Sequence, residues 1–315
     1  MSTANLFREL AIKTATKQPG VVDYITEESP IFAMIPMQAA SNGIQNKFEE
    51  LKDVTGAQFV DLDDVIPAID ANGEIVTTDL NQIAGKMEVG EDKLNVLGSS
   101  IGQYFDGKLP SILRATGANL ETTILYNNIR AYAKANSRLA DAGGTNSGAM
   151  YSMSCVKWVT GETTGLYDPN GWGNGNVFDI MPINGGTLHT LSDGQTLGYA
   201  QRMKMRIGVQ LANPRYVSGI ANIDLVASGS TDSGFVALPT EAMIDDMILN
   251  ARGNPGNTFI YMHPKLKNAL NTYKGSALQT GVEIKDFDRT FDLWNGIPII
   301  TSYNFSQTEA TETGL

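Results

Sequence analysis

The order of elements between Leu238 and Ile300 constrains the fold of this chain more than any other feature of its sequence. Thr240 can cap a helix whose apolar residues recur at helical spacing. These residues are Met243, Ile244, Met247, Ile248 and Ala251. A turn at 253–256, a short buried strand at 259–262 and a second helix starting at Pro264 follow. The segment closes with 294–300, Trp-Asn-Gly-Ile-Pro-Ile-Ile, a buried strand that its proline places at a sheet edge.

A long polar segment at residues 46–97 comes earlier in the chain. It is predicted to be extended and acidic, with a turn at Asn72-Gly73 and a returning strand at 75–78 and 86–89. Its acidic residues include Asp53, Asp61, Asp63, Asp64, Asp70 and Glu74. A segment with so little apolar content of its own cannot bury a core. We therefore expect the segment to lie on another subunit, with residues 53–83 making few contacts within their own subunit.

The strongest helical pattern covers residues 109–138 and is predicted to start near Pro110. Leu113, Leu120 and Ile124 form its apolar row, which needs an apolar partner. Residues 149–223 are typical of β structure, with strands expected at 152–159 and 199–211. The second of these alternates polar and apolar residues at period two. Both strands are predicted to pack under the helix.

These segments together resemble a known family. Tyr261-Met262-His263-Pro264 ends a strand, and the pattern Trp-x-Gly-Ile-Pro-Ile follows at 294–299. Glu28-Ser29-Pro30-Ile31 is similar to the N-terminal arm of many phage coat proteins. In this order the motifs resemble tailed-phage major capsid proteins of the Hong Kong 97-type (Johnson) fold, which is α+β.

The resemblance implies a division of the chain into four parts. It places an N-terminal arm at 1–45 and an extended E-loop at 46–97. It places a P-domain at 98–223, with the spine helix at 109–138, and an A-domain with the C-terminal tail at 224–315. In the usual order of this fold, long P-domain strands follow the Ile-Pro strand. Here they precede the A-domain, and few residues follow Ile300, which indicates the circularly permuted variant.

The resemblance also implies a function that is structural and not enzymatic. Many copies would assemble as hexamers and pentamers into an icosahedral shell enclosing double-stranded DNA, in the host cytoplasm and then in the virion. Scaffold, portal and decoration proteins are further candidate partners. No cofactor and no membrane is implied. The alternative within the same fold is the shell protein of an encapsulin-like nanocompartment.

Composition limits the other possible functions. A net charge of −11 argues against a nucleic-acid-binding module, because such a module needs a basic face for phosphates. An acidic lining would instead repel enclosed DNA and leave it able to move. The single cysteine, Cys155, excludes an intrachain disulfide and fits a reducing compartment. No secretory signal and no apolar run long enough for a membrane span is predicted.

One motif indicates an enzyme as the second class of function. Residues 98–102 match G-x-S-x-G, in which Ser100 would be the nucleophile of a serine hydrolase. That elbow requires a strand before the serine and a helix directly after it. A strand is plausible, but no helix is expected, since Asp106-Gly107 and Pro110 follow. His189 and His263 are the only candidate bases, so a hydrolase is the minor hypothesis.

Other candidate sites are weaker. The glycine-rich run 171–176 lacks the Lys-Ser/Thr of a phosphate-binding loop. Asp61, Asp63 and Asp64 lack the spacing of an EF-hand, and two histidines with one cysteine exclude a structural zinc site. Lys52 and Lys86 flank the E-loop, and one branch of the family cross-links a loop lysine to a neighbour's asparagine. No such pair stands out, and no catalytic, cofactor or metal site is predicted.

Overall fold

The computed structural model describes residues 25, 28–62, 65–66, 68–69, 71–169, 178–228, 234–273, 278–284 and 289–315. Within these ranges the helices are Pro30–Met34 (α1), Glu91–Leu97 (α2), Ile101–Thr123 (α3), Ala131–Ala135 (α4), Glu241–Asn250 (α5) and Pro264–Ala269 (α6). A π-helical stretch, Ile124–Arg130, joins α3 to α4. We call the continuous helix from Ile101 to Ala135 the spine helix.

The strands of the described ranges alternate with these helices along the chain. They are Met37–Ala39 (β1), Gln45–Val54 (β2), Ala71–Asp79 (β3), Asn81–Gly90 (β4), Leu139–Asp141 (β5), Met150–Lys157 (β6), Thr163–Tyr167 (β7), Phe178–Pro182 (β8), His189–Thr190 (β9), Leu197–Leu211 (β10), Val217–Ala227 (β11), Phe235–Ala237 (β12), Thr258–Met262 (β13), Leu278–Ile284 (β14), Arg289–Trp294 (β15) and Ile297–Thr301 (β16). The fold is therefore α+β, as the sequence predicts.

The spine helix begins earlier than its apolar pattern suggests. Ser100 is its N-cap, and a capping box forms because Ser100 Oγ accepts the Gln103 N–H while the Gln103 side chain accepts the Ser100 N–H. The predicted start near Pro110 is thus wrong, and Pro110 lies inside the helix. Because proline has no backbone N–H, the helix continues past Pro110 with one backbone hydrogen bond fewer.

The first sheet lies under the spine helix. Its strands run in the order β1-β7-β10-β4, and β8 and β9 also pair with β10. The alternating pattern of β10 directs one set of apolar side chains towards the helix. Met203, Met205, Ile207 and Val209 of β10 join Leu113, Leu120 and Ile124 of the helix in one buried cluster. The predicted packing of residues 199–211 under the helix is confirmed.

The second sheet is covered by helices on both faces. Its strand order is β12-β11-β6-β13-β16-β15-β14, and β5 also pairs with β11. Neighbouring residues along a strand face opposite ways. Val156, Tyr261 and Ile300 therefore belong to the cluster beneath the spine helix. Cys155, Ile260 and Ile299 belong to a second cluster, which includes Ile244 and Met247 of α5 and Leu266 of α6.

The second sheet differs from the predicted division of the chain in one respect. The strand expected at 152–159 is β6, which stands between β11 and β13 rather than beside β10. Val156 still reaches the spine-helix cluster. The predicted boundary between 223 and 224 falls inside β11. β6 and β11 belong to this sheet because they pair with strands that are distant in the sequence. The local pattern of apolar residues does not reveal those partners.

The strand containing Pro298 is another correction, because it lies inside the sheet and not at its edge. β16 pairs with β13 on one side and with β15 on the other. The missing N–H of Pro298 is tolerated because the parallel ladder to β13 starts only at Ile299. Among the described residues there is no helix with the length and apolar character that crossing a membrane requires.

The shared core predicts the effect of one substitution. Ile207→Asp places an unpaired carboxylate in the cluster between β10 and the spine helix, so we expect it to lower the free energy of unfolding by about 3 kcal/mol or more. Leu249→Asp is the control, since Leu249 is 74% exposed on α5, and we expect a change within about 0.5 kcal/mol. Urea denaturation followed by circular dichroism measures both, and equal stabilities would contradict this account of the core.

Candidate assembly surfaces

A two-stranded hairpin extends from the body of the protein. β2 and β3 pair only with each other among the described strands, from Gln45 opposite Asp79 to Val54 opposite Ala71. At a rise of about 3.3 Å per residue, strands of this length carry the hairpin tip about 30 Å from its root. The predicted turn at Asn72-Gly73 is wrong, because both residues lie within β3 opposite a bulge between Leu51 and Asp53.

The described residues 55–62, 65–66 and 68–69, which we call the hairpin tip, expose large apolar side chains. Phe59 and Leu62 are fully exposed, and Val65 and Ile66 are 88% and 83% exposed. This corrects the expectation of low apolar content in the segment. A concentration of exposed apolar side chains so far from the chain's own core is typical of a surface that another molecule covers.

The root of the hairpin is fixed to the first sheet by polar contacts. Asn46 Oδ1 accepts hydrogen bonds from the Ser41 N–H and hydroxyl, while Asn46 Nδ2 donates to Gln210 Oε1. Leu80, directly after β3, is buried with Ala40 and Leu166. β4 then pairs along β10, so the predicted 46–97 segment comprises an extended hairpin and a strand that belongs to the body.

A buried carboxylate joins the arm to the spine helix. Glu121 Oε2 accepts the backbone N–H groups of Ile31 and Phe32, at 2.9 and 3.2 Å. Glu121 Oε1 accepts from the Ser302 hydroxyl and from Asn304 Nδ2. Burial raises the pKa of Glu121, and these hydrogen bonds oppose the rise. One side chain thus holds α1, the spine helix and the segment after β16 together.

The arm also needs a glycine on the spine helix. A Cβ added to Gly117 would stand 2.3 Å from the carbonyl oxygen of Ile25. Gly117 and Glu121 are one helical turn apart, so the arm crosses the helix at the first and is hydrogen-bonded at the second. We call this contact the arm clamp.

The tail is held to the spine helix by two glutamates. Arg130 Nη1 donates to Glu309 Oε2 at 2.6 Å, and Arg130 Nη2 donates to Glu312 Oε2 at 2.7 Å. Tyr126 and Ser152 donate their hydroxyls to Glu309 Oε1. Burial raises the pKa of Glu309, while the hydrogen bond from Lys134 is the largest of the effects that lower the pKa of Glu312. We call this contact the tail clamp.

The hydrolase candidates are placed in other roles. A helix does follow Ser100 directly, contrary to prediction, but the element before it is helix α2 and not a strand. The Ser100 hydroxyl caps the spine helix. His263 Nδ1 accepts the Lys265 N–H and caps α6, and burial lowers the pKa of this imidazole. His189 Nδ1 donates to the carbonyl oxygen of Thr187.

The remaining candidates are not brought together into a site. Asp61 is exposed at the tip, while Asp63, Asp64, the side chain of Lys52 and the run 171–176 lie outside the described residues. Among the residues described, no three acidic, histidine or cysteine side chains lie close enough to hold a metal ion. Lys86 pairs with Glu88 on the first sheet. Cys155 is buried, which raises the pKa of its thiol to about 12.

Sequence reasoning missed both clamps. Glu121 follows Leu113 and Gly117 at spacings of a helical turn, which puts a charged residue on a row that is otherwise apolar or small. That conflict is a usable signal, because a carboxylate in such a row must find buried donors. Glu309 offered no comparable signal, since acidic residues in a polar tail are ordinary.

Comparisons with known proteins give one family. A sequence model described as "Major capsid protein GP7" matches residues 123–313. Among solved structures, that of bacteriophage Epsilon15 has 15% identity and a TM-score of 0.51, covering 88% of this chain and 88% of that chain. At this identity the likeness shows the fold. No curated protein sequence matches the chain.

Two further structures are similar at lower scores. The capsid of bacteriophage JBD30 has 12% identity and a TM-score of 0.48, covering 85% of this chain and 88% of that chain. The holo-SrpI encapsulin complex of Synechococcus elongatus PCC 7942 has 10% identity and a TM-score of 0.45, covering 64% of this chain and 90% of that chain.

The tail clamp predicts a stability change that depends on pH. Arg130→Met leaves Glu309 buried without its cation, and we expect a loss of about 3–5 kcal/mol at pH 7. Removing the cation raises the Glu309 pKa further. A carboxyl with a raised folded-state pKa lowers the free energy of unfolding as the pH rises and the group ionises. At pH 4.5 the Glu309 carboxyl is largely protonated, so the destabilisation caused by Arg130→Met should be smaller there than at pH 7.

Lys134→Met is the matched control. Among the described residues, the ion pair of Lys134 is with Glu312, the more exposed of the two glutamates, so a loss below about 1 kcal/mol is expected. Urea titrations at pH 7 and pH 4.5 measure both variants. A penalty for Arg130→Met that is independent of pH would contradict the assignment of Glu309 as the buried, ionised partner.

Proposed function

The protein belongs to the family of the major capsid protein GP7, whose sequence model matches more than half of the chain, and we propose that it forms the icosahedral shell of a tailed bacteriophage. Its role is that of a structural capsid protein. In this proposal, hexamers and pentamers of the chain enclose double-stranded DNA in the virion, and the shell assembles in the host cytoplasm. Scaffold, portal and decoration proteins are its proposed partners.

The observation that carries this proposal is the hairpin tip. Phe59, Leu62, Val65 and Ile66 are exposed about 30 Å from the root of the hairpin. A free monomer gains nothing from an apolar surface in that position, whereas a repeated assembly buries it in every copy. Many modest contacts of this kind, closed by symmetry, are sufficient to hold a shell together.

We further propose a division of labour along the chain. The arm and the hairpin serve contacts between copies, the spine helix with the first sheet forms a P-domain, and the second sheet with α5 and α6 forms the body of an A-domain. The circularly permuted order stays a prediction. An enzymatic role is not proposed, since Ser100 serves as a helix cap.

The assembly test uses the hairpin tip. Phe59→Asp with Leu62→Asp removes two apolar contacts and adds two charges, so we expect a folded subunit that no longer forms shells. Ala57→Asp with Gln58→Asp is the control, because it adds the same charges to the same tip and keeps the apolar side chains. Sedimentation velocity and negative-stain electron microscopy measure the particles, and circular dichroism checks the fold.

Shells at normal yield from the Phe59/Leu62 variant would show that the tip is not needed for assembly.

The nanocompartment alternative predicts a similar shell without a packaged genome. Nuclease-protected DNA in particles isolated from the cells that produce them therefore separates the two functions.

The covalent state of the shell is a separate prediction. No lysine and asparagine pair for cross-linking stands out in the sequence, and Lys86 pairs with Glu88. We expect particles boiled in detergent and reductant to run as a single band near 33.9 kDa. A ladder of bands at multiples of that mass would show intersubunit isopeptide bonds.

A further inference from the structure

Glu121 receives hydrogen bonds from the arm and from the segment that leads into the tail. Its side chain is buried. Oε2 accepts the N–H groups of Ile31 and Phe32 in the arm, and Oε1 accepts from the side chains of Ser302 and Asn304 after β16. A carboxylate has about four acceptor positions. The two segments together therefore saturate this one buried group.

A second contact joins the same two segments directly. We call residues 302–306 the junction, because they connect β16 to the tail. Asn304 Nδ2 donates to the carbonyl oxygen of Glu28 in the arm, at 2.7 Å. Phe305 of the junction and Phe32 of the arm belong to the same apolar cluster. The arm and the junction thus share polar and apolar surroundings on the spine helix.

The junction is linked in turn to the tail clamp, through Tyr126 of the spine helix. The Tyr126 hydroxyl accepts the Ser306 N–H at 2.8 Å and donates to Glu309 Oε1 at 2.6 Å. The Tyr126 ring also packs edge-on against Phe305. The contacts of the arm therefore continue along the spine helix as far as the tail clamp.

This arrangement makes each segment sensitive to the state of the other. Undocking the arm takes two donors from Glu121 and admits water to its carboxylate. A hydrogen bond is electrostatically stronger in a low-dielectric interior than in contact with water, so the bonds from Ser302 and Asn304 then weaken. Undocking the junction acts in the same way on the bonds from Ile31 and Phe32. A carboxylate oxygen that stays buried without donors is costlier still.

We propose that the arm and the tail dock on the spine helix cooperatively, with Glu121 as their shared contact. Release of the arm loosens the tail, and release of the tail loosens the arm, because coupling between two sites is reciprocal. All of these contacts lie within one subunit, so the coupling does not depend on the proposed function. In a shell, a neighbouring copy that draws the arm away would also free the tail.

Hydrogen exchange in the full-length chain measures this coupling. Gly117→Ala adds a Cβ whose nearest neighbours all belong to Ile25, so it disturbs the arm without touching the junction or the tail clamp. We expect amide exchange to rise in the arm and to rise about 10-fold at Glu309 and Glu312. These two amides donate to the Met150 carbonyl oxygen and to Asn222 Oδ1.

Two further variants extend the test. Ile31→Ala loosens the arm from its own side, and it serves as a second arm variant should Gly117→Ala not fold. Arg130→Met loosens the tail, and we expect it to raise exchange at the Ile31 and Phe32 amides. Amides of β10 report on global unfolding, because that strand is paired on both sides in the first sheet. Their exchange should stay unchanged in all three variants.

A decoupled background separates this mechanism from general loosening. Ser302→Ala with Asn304→Ala removes the junction's donors to Glu121. In that background Gly117→Ala should still raise exchange in the arm but no longer in the tail. Ile244→Ala is the matched control, because Ile244 is buried in the second cluster on α5. We expect it to raise tail exchange no more than it raises exchange in β10.

Three results would overturn the proposal. The first is a rise confined to the arm in both arm variants. The second is a rise of equal size in β10, which would indicate global unfolding. The third is an effect of Gly117→Ala on the tail that persists undiminished in the decoupled background. Failure of the chain to form particles would contradict the proposed function and leave these exchange measurements valid.

Discussion

One apolar core joins the spine helix to both sheets, and the positions of the other surfaces depend on it. Leu113, Leu120 and Ile124 supply the helix side of this core, and β10 supplies the first sheet. Val156 and Tyr261 extend it to the second sheet. Because a helix buries only part of its circumference against a core, the rest is free for other contacts. Both clamps lie along this one helix.

The hydrogen bonds of the two clamps fix the orientation of the arm and the tail, which apolar packing alone does not fix. Apolar burial is roughly proportional to area and does not fix the angle at which an arm crosses a helix. Glu121 fixes it, because its carboxylate must receive particular N–H groups to be tolerated where it is buried. Arg130 does the same for the tail. A buried ion pair contributes little net stability over an apolar pair of the same volume, whereas removing one partner alone is costly.

The sequence predicted single elements better than their partners. The alternation in 199–211 and the helical spacing of Met243 to Ala251 identified β10 and α5 within a few residues. These patterns are local consequences of burial on one face. Pro298 and Pro110 misled the prediction because each proline was interpreted from its own backbone limits alone. The ladder to β13 begins only after Pro298, and the spine helix already begins at Ile101, before Pro110. The place of β6 in the second sheet depends on pairing with Thr258–Met262 and Val217–Ala227, which no local pattern encodes.

The candidate surfaces were predicted in position but not in character. The segment at 53–83 was expected to make few contacts within its own subunit. Among the described strands, β2 and β3 pair only with each other, whereas residues from Asn81 onward belong to β4 of the first sheet. The apolar hairpin tip was overlooked because aspartates alternate with Leu62, Val65 and Ile66, which lowers the mean hydropathy of the segment. Exposure is what distinguishes such a tip from a strand that will be buried, and exposure is a property of the fold.

The apolar character of the tip has a thermal consequence. Burial of hydrocarbon surface is driven almost entirely by entropy near room temperature and is accompanied by a negative change in heat capacity. Cohesion that depends on Phe59 and its neighbours therefore weakens as the solution is cooled. A shell joined through these tips would be less firmly held in the cold than at growth temperature. The ionic contacts of Arg130 lie inside each subunit, so cooling would weaken the contacts between copies before it weakened the tail clamp.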